Sequence, residues 1–273
     1  KYKNLWNLYK NAHTPWEWHE EIFKEAKKNE LSFFSSPFDE TAVDFLEKIG
    51  CQAYKIASPE INHIPLIERI SKTKKPVILS TGLANYSEIE KAVSILRKNN
   101  SNKIIILKCC SSYPADYEEL NLLTIKDIKK KFKTLSGFSD HTIGSIAPIT
   151  SVALGGKMVE KHFIFNQKVK TVDNFFSSGP IQFKEMVGQI RKVEKSIGII
   201  TYKISKKSKI SLNGKRSIYV SNDIQKGQKI SKNNIKVVRP SYGLNPKFFE
   251  RVLGKKTIKN LKAGSRLEMK FLK

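Results

Sequence analysis

Thr134-Leu135-Ser136-Gly137-Phe138-Ser139-Asp140-His141 and, about twenty residues later, Lys157-Met158-Val159-Glu160-Lys161-His162 decide how this chain folds. The apolar run in each is too short for a helix, and each stretch closes on a histidine. Between them, Ser145 to Leu154 is a run of small and apolar residues that reads as a helix. Strand, helix and strand at this spacing make a βαβ unit with parallel strands, so both histidines stand at the same carboxyl edge of one sheet. Two neutral imidazoles aimed at one place suit a divalent metal ion. The spacing by itself also admits two core or loop histidines held by ordinary hydrogen bonds.

Further apolar or β-branched runs lie upstream, at Leu31–Ser35, Gln52–Ala57, Pro76–Thr81 and Lys103–Cys109, with amphipathic segments between them. That alternation predicts a parallel α/β sheet. Polar and reactive residues follow the strands: Ser35 and Ser36, Lys55 and Ser58, Ser80 and Thr81, Lys108 and Ser111, Ser139 and His141, Glu160 and His162. A closed (β/α)8 barrel gathers its chemistry at the carboxyl ends of many strands, whereas an open doubly wound sheet concentrates it at one switch point. No Gly-x-Gly-x-x-Gly or phosphate-loop motif follows any strand, which favours the barrel. Six strands are readable where a barrel has eight. The chain opens on Lys1, and its first clear helix, Pro15–Asn29, has no strand before it. The expectation is an α/β TIM barrel that lacks its first strands in this chain.

The character changes after the helix predicted over Ile181–Ile197. Residues 201–273 hold 20 Lys or Arg and 3 acidic residues, with short alternating stretches at Ser217–Val220 and Ile235–Val238. Turn signals stand at Asn213-Gly214, Lys226-Gly227 and Ala263-Gly264. The expected organisation is a partial barrel over 1–197, a Lys- and Ser-rich linker over 198–213 and a small β-rich domain over 214–273.

A chain of 273 residues with 40% hydrophobic content can bury a core. No stretch approaches the roughly 18 apolar residues of a membrane span, so no membrane partner is expected. Three cysteines, with Cys109 and Cys110 adjacent, make neither a disulfide framework nor a zinc pattern, and fit a reducing, cytoplasmic setting. The net charge of +25 could recruit polyanions. No RNA-binding, helix-turn-helix or zinc-finger pattern accompanies the lysines, so nucleic acid is not an expected partner and most of the charge reads as a solvated surface.

The ordered motifs resemble those of the sialic acid synthases. They are Phe34-Ser35-Ser36-Pro37-Phe38, Ala53-Tyr54-Lys55-Ile56-Ala57-Ser58, Leu79-Ser80-Thr81-Gly82, Tyr113-Pro114, Gly137-Phe138-Ser139-Asp140-His141 and Glu160-Lys161-His162-Phe163. The C-terminal region resembles the antifreeze-like (SAF) module of those enzymes through Arg216-Ser217-Ile218-Tyr219, Asp223-Ile224, Lys226-Gly227, Arg239-Pro240 and Leu253-Gly254-Lys255. Leu8-Tyr9, Thr14-Pro15-Trp16-Glu17-Trp18-His19 and Ser241-Tyr242-Gly243-Leu244 look closest to the branch that makes pseudaminic acid.

The resemblance implies condensation of phosphoenolpyruvate with a 2,4-diacetamido-2,4,6-trideoxy-altrose-type sugar. N-acetylneuraminate or legionaminate synthesis, or an inactive truncated relative, are the alternatives. It implies His141 and His162 as ligands of a divalent metal, Mn²⁺ with Mg²⁺ or Co²⁺ as alternatives, and Lys55 on the phosphate and carboxylate of phosphoenolpyruvate. Ser36, Ser58, Ser80, Ser111 and Ser139 would supply hydroxyl or backbone donors. Glu60, Tyr113 and Asp173 would face the sugar. Arg216 would reach the sugar pocket of a neighbouring subunit in a domain-swapped homodimer. The family also carries a Glu and a Lys after its first two barrel strands, ahead of where this sequence begins.

Overall fold

In the computed structural model, which describes residues 4–99 and 103–273, the predicted strands pair in the order in which they occur. β1 (Tyr54–Ile56), β2 (Val77–Ser80), β3 (Ile104–Cys109), β4 (Leu135–Asp140) and β5 (Val159–Lys161) form one parallel sheet, each beside its predecessor. A doubly wound sheet reverses direction at its switch point. This one never does, and with right-handed crossovers every connecting helix falls on the same side, as in a barrel wall.

The sixth strand expected, Leu31–Ser35, is reduced to one parallel bridge between Ser35 and Tyr54, with Lys55 N–H donating to the Ser35 carbonyl at 3.1 Å. Among the described residues it has a neighbour on one side only. At the opposite edge the chain beyond β5 makes a second parallel bridge, Phe163 to Ser178.

The wall helices are α3 (Glu40–Lys48), α4 (Ile64–Lys72), α5 (Tyr86–Lys98), α6 (Thr124–Phe132), α7 (Ile146–Ala153) and α8 (Pro180–Ile197). Their starts are encoded locally. Asp39 accepts from Ala42 N–H ahead of α3, and Asn85 and Glu88 form a reciprocal capping box ahead of α5. Their apolar faces meet the strands in a core that includes Val43, Leu46, Leu66, Ile70, Val93 and Leu96, with Ile56, Leu79 and Ile106 from the sheet. Gly137 is required where β4 meets β5, because a Cβ there would run into the Met158 carbonyl and Leu107.

The helix expected over Pro15–Asn29 forms as a 3-10 turn, Trp16–Trp18, followed by α2 (His19–Lys28). Trp16 stacks on Phe45 with ring centroids 4.6 Å apart, and that packing holds the tighter first turn. α1 (Leu5–Ala12), capped by Asn4, precedes it and is not signalled by the sequence pattern.

The chain divides into two units, Lys1–Gly198 and Ile199–Lys273. In the second, β6 (Ser217–Val220) and β7 (Ile235–Val238) pair antiparallel over a core of Ile218, Val220, Ile224, Ile235, Leu261 and Leu267. A 3-10 segment, Ser208–Gly214, occupies part of the stretch expected as linker.

Candidate active site

Register between β4 and β5 builds the site. Ser139 faces Glu160 and Asp140 faces Lys161, so the next residues of the two strands are the two histidines. Side chains alternate between the faces of a sheet. Ser139, His141, Glu160 and His162 accordingly line one cavity, while Asp140 and Lys161 do not. The imidazole centroids of His141 and His162 lie 5.2 Å apart.

Each ring is held through Nδ1. His141 Nδ1 lies 2.7 Å from the Cys110 carbonyl, which can only accept, so Nδ1 carries the proton and Nε2 keeps its lone pair. His162 Nδ1 lies 3.4 Å from Asp173 Oδ2, the same arrangement with a longer contact. Burial lowers the pKa of both imidazoles, with hydrogen bonding or nearby carboxylates opposing it in part. Neutral rings with Nδ1 engaged and Nε2 available are the form that binds metals. Among the described residues no cluster of three or more His, Cys, Asp or Glu could hold an ion, so any ion here would depend on water or substrate for its remaining ligands.

Strands β1 to β3 supply the rest of the cavity, about 200 Å³ in volume and lined by Ser36, Lys55, Ser58, Ser80, Cys109 and Tyr113 among others. Lys55 is 8% exposed at its side chain; Glu160 Oε1 stands 3.5 Å from its ammonium and the Ile56 carbonyl 3.4 Å. Glu160 is also engaged by Ser139, whose hydroxyl donates to Oε1 at 2.7 Å. A buried ammonium so loosely matched favours an added anion. Ser80 Oγ is buried with no partner among the described residues, a free donor on the same wall. Ser58 Oγ accepts from Leu83 N–H at 2.6 Å and so fixes the loop after β2. Tyr113 closes the cavity with its ring 4.3 Å from that of His141.

Four of the predicted site residues lie outside this lining. Ser111 is turned toward Cys109, with Oγ 3.8 Å from its sulfur, and Gly82 leaves the space it occupies. Glu60 sits on the 3-10 turn after β1; its Oε2 is buried without a partner among the described residues, and burial raises its pKa. Asp173 lines a second cavity of about 490 Å³ together with His162, Asn11 and Lys170. Arg216 belongs to the second unit, where it donates to the Val237 carbonyl at 3.0 Å and lines a cavity with Lys215 and Arg239. Lys108, also polar and near a strand end, donates to the Cys109 carbonyl and stays off the lining.

Residues 1–202 match the NeuB family and residues 215–272 match a SAF domain. The chain belongs to the NeuB family. A pseudaminic acid synthase of Helicobacter pylori is 44% identical over 97% of this chain and 78% of its own length. An N,N'-diacetyllegionaminic acid synthase of Campylobacter jejuni is 38% identical over 89% of the chain and 74% of its length. In structure, the spore coat polysaccharide biosynthesis protein SpsE of Bacillus subtilis superposes with a TM-score of 0.66 at 31% identity, covering 97% of this chain and 79% of that one. The NeuB relatives support the barrel reading of the consecutive five-stranded sheet, and a phosphoenolpyruvate-using synthase is the activity that this membership gives the chain.

Proposed function

We propose that this NeuB-family enzyme joins phosphoenolpyruvate to an open-chain 2,4-diacetamido-2,4,6-trideoxy-altrose-type aldehyde, giving pseudaminic acid and phosphate. One observation carries the reading: the small cavity sets a buried, loosely matched Lys55 and an unpartnered Ser80 hydroxyl beside two neutral imidazoles. The first pair suits a small dianion and the second an electrophile's metal. Its volume of about 200 Å³ suits phosphoenolpyruvate, and the cavity of about 490 Å³ that shares His162 has room for the sugar.

In the reaction, C3 of the enol bonds to the aldehyde carbon, whose oxygen becomes a hydroxyl. Positive charge develops at C2, water adds there, and the tetrahedral intermediate breaks its C2–O bond to release phosphate and leave a 2-keto acid. Lys55 and the hydroxyls of Ser36, Ser58 and Ser80 hold the phosphate and carboxylate throughout, with Ser139 beside them and its hydroxyl turned to Glu160. Glu60, a carboxyl whose pKa burial raises, is assigned to the sugar side. Tyr113 and Asp173 border the sugar. His141 and His162 fit a divalent ion through their free Nε2 atoms, Mn²⁺ being the choice the family resemblance favours. When bound, that ion supplies Lewis acidity toward the aldehyde oxygen.

Arg216 is assigned to the sugar of a partner subunit. Mixing inactive Arg216→Ala and His141→Ala proteins tests this: half the dimers are mixed with one intact site each, so activity returns to roughly a quarter of wild type. Mixed dimers that form but recover no activity would count against the swap and against Arg216 serving the sugar in trans.

The sugar is tested by comparing kcat/KM for the altrose, its legionaminate-type epimer and N-acetylmannosamine, with product mass as the readout. The altrose should lead by at least about tenfold. A lead by either of the others would reassign the enzyme within the family.

A further inference from the structure

Asp140 and Lys161 are ladder partners, and their side chains meet at 2.5 Å with exposures of 0% and 2%. They lie on the face of β4 and β5 that turns away from the cavity, so neither can touch substrate. The same ammonium donates to the Thr142 carbonyl at 2.7 Å, and Asp140 Oδ1 accepts from Thr142 N–H at 2.9 Å. His141 is therefore bracketed: the residues immediately before and after it are both tied to Lys161, and Lys161 immediately precedes His162. One buried charge thereby fixes the backbone on which both imidazoles stand.

Stability gives no reason for this choice. A buried ion pair can often be replaced by apolar side chains of similar volume without loss, because desolvation offsets the attraction. What such a pair supplies is register. A slip of one residue between β4 and β5 would carry one histidine to the outer face, and a small rotation of the Thr142 turn would swing His141 away from His162.

We propose that the Asp140–Lys161 pair, with its Thr142 latch, is the positioning element that holds His141 and His162 at the spacing for one divalent ion. This inference rests on the synthase reading above. Lys55, Ser58 and Ser80 come from the β1 and β2 ends, and only Ser139 and Glu160 at the phosphoenolpyruvate end share strands with the pair, so that end should respond less to its loss than the metal end.

The test is the double variant Asp140→Leu with Lys161→Met, which leaves no orphaned charge. Mn²⁺ affinity of the full chain, read by electron paramagnetic resonance without substrate, should fall at least about tenfold, in the range seen when groups that orient metal-binding histidines are removed. Turnover should fall in parallel, while KM for phosphoenolpyruvate should rise by a clearly smaller factor than the loss in Mn²⁺ affinity. Lys161→Arg, which keeps the charge and its donors, should lie between the double variant and wild type. A folded double variant with wild-type Mn²⁺ affinity and turnover would overturn the inference while leaving the synthase reading intact. A double variant that cannot fold would assign the pair to the fold as a whole and overturn it equally. Wild-type protein that binds no Mn²⁺ and forms no product would overturn the synthase reading and this inference together.

Discussion

The amino end of the parallel sheet and the cavity face at its carboxyl end treat charge in opposite ways. At the amino end, Lys75 Nζ donates to Glu47 Oε1 at 2.5 Å and to the Cys51 carbonyl at 2.6 Å, and the Tyr54 hydroxyl donates to the same carboxylate. At the carboxyl end, Lys55 has only contacts of 3.4 Å or more, and Glu60 Oε2 and Ser80 Oγ are buried without partners among the described residues. A fold matches its own charges where no ligand enters. It leaves them available where a ligand completes the set.

Breaking the carboxyl end should cost turnover and spare the fold. The largest effect is expected for His141→Ala, with activity down at least about 10³-fold because the electrophile loses its metal partner. Calorimetry should show the folded state retained, since His141 lines the cavity at a strand end and is not part of the apolar core. Next comes Lys55→Ala: kcat/KM for phosphoenolpyruvate should fall about 10²-fold, the scale for stranding a buried charged partner, with KM for the sugar much less affected. Equal losses for both substrates would contradict the placement of Lys55.

Breaking the amino end should do the reverse. Lys75→Met leaves the Glu47 carboxylate with Tyr54 but without its ammonium, and should lower unfolding free energy by about 1–3 kcal/mol in a denaturant titration. Catalytic constants should stay within about twofold.

The smallest effect is on pH. Both histidines titrate below their usual value, so acidification protonates the unfolded chain first. Their contribution to stability is then complete above a pH of about 6.5 and declines as pH falls from there toward the folded values. The imidazoles also remain available as ligands below the pH at which a free imidazole protonates, so the acid limb of the metal-dependent rate should lie below about 6.5. A limb above that value would mean that another group controls it.

Much of the carboxyl end was legible in the sequence because barrel chemistry gathers at strand ends, and strand ends can be read from short apolar runs. Lys55, Ser80, Ser139, His141 and His162 follow from that rule, and the cavity unites them. Ser111 does not join the lining because, beyond the end of β3, the chain turns its hydroxyl back onto Cys109. Asp173 contacts His162 as well as bordering the second cavity, a result of a loop folded so that Ser178 N–H donates to the His162 carbonyl at 2.9 Å. The Asp140–Lys161 pair carried no signal at all. In sequence they are two ordinary charges, and only strand register and the Thr142 turn bury them. Leu31–Ser35 shows the opposite error, an apolar run read as a strand that pairs only through the single Ser35–Tyr54 bridge.

The most direct test of the account is to follow phosphoenolpyruvate labelled with ¹³C at C3, with the diacetamido-altrose and Mn²⁺, by carbon and phosphorus NMR. The account predicts that the labelled carbon becomes bonded to the former aldehyde carbon of the sugar as inorganic phosphate appears in equal amount, and that both signals vanish in His141→Ala. Phosphate release with the label recovered in free pyruvate, or product formation undiminished in His141→Ala, would contradict it.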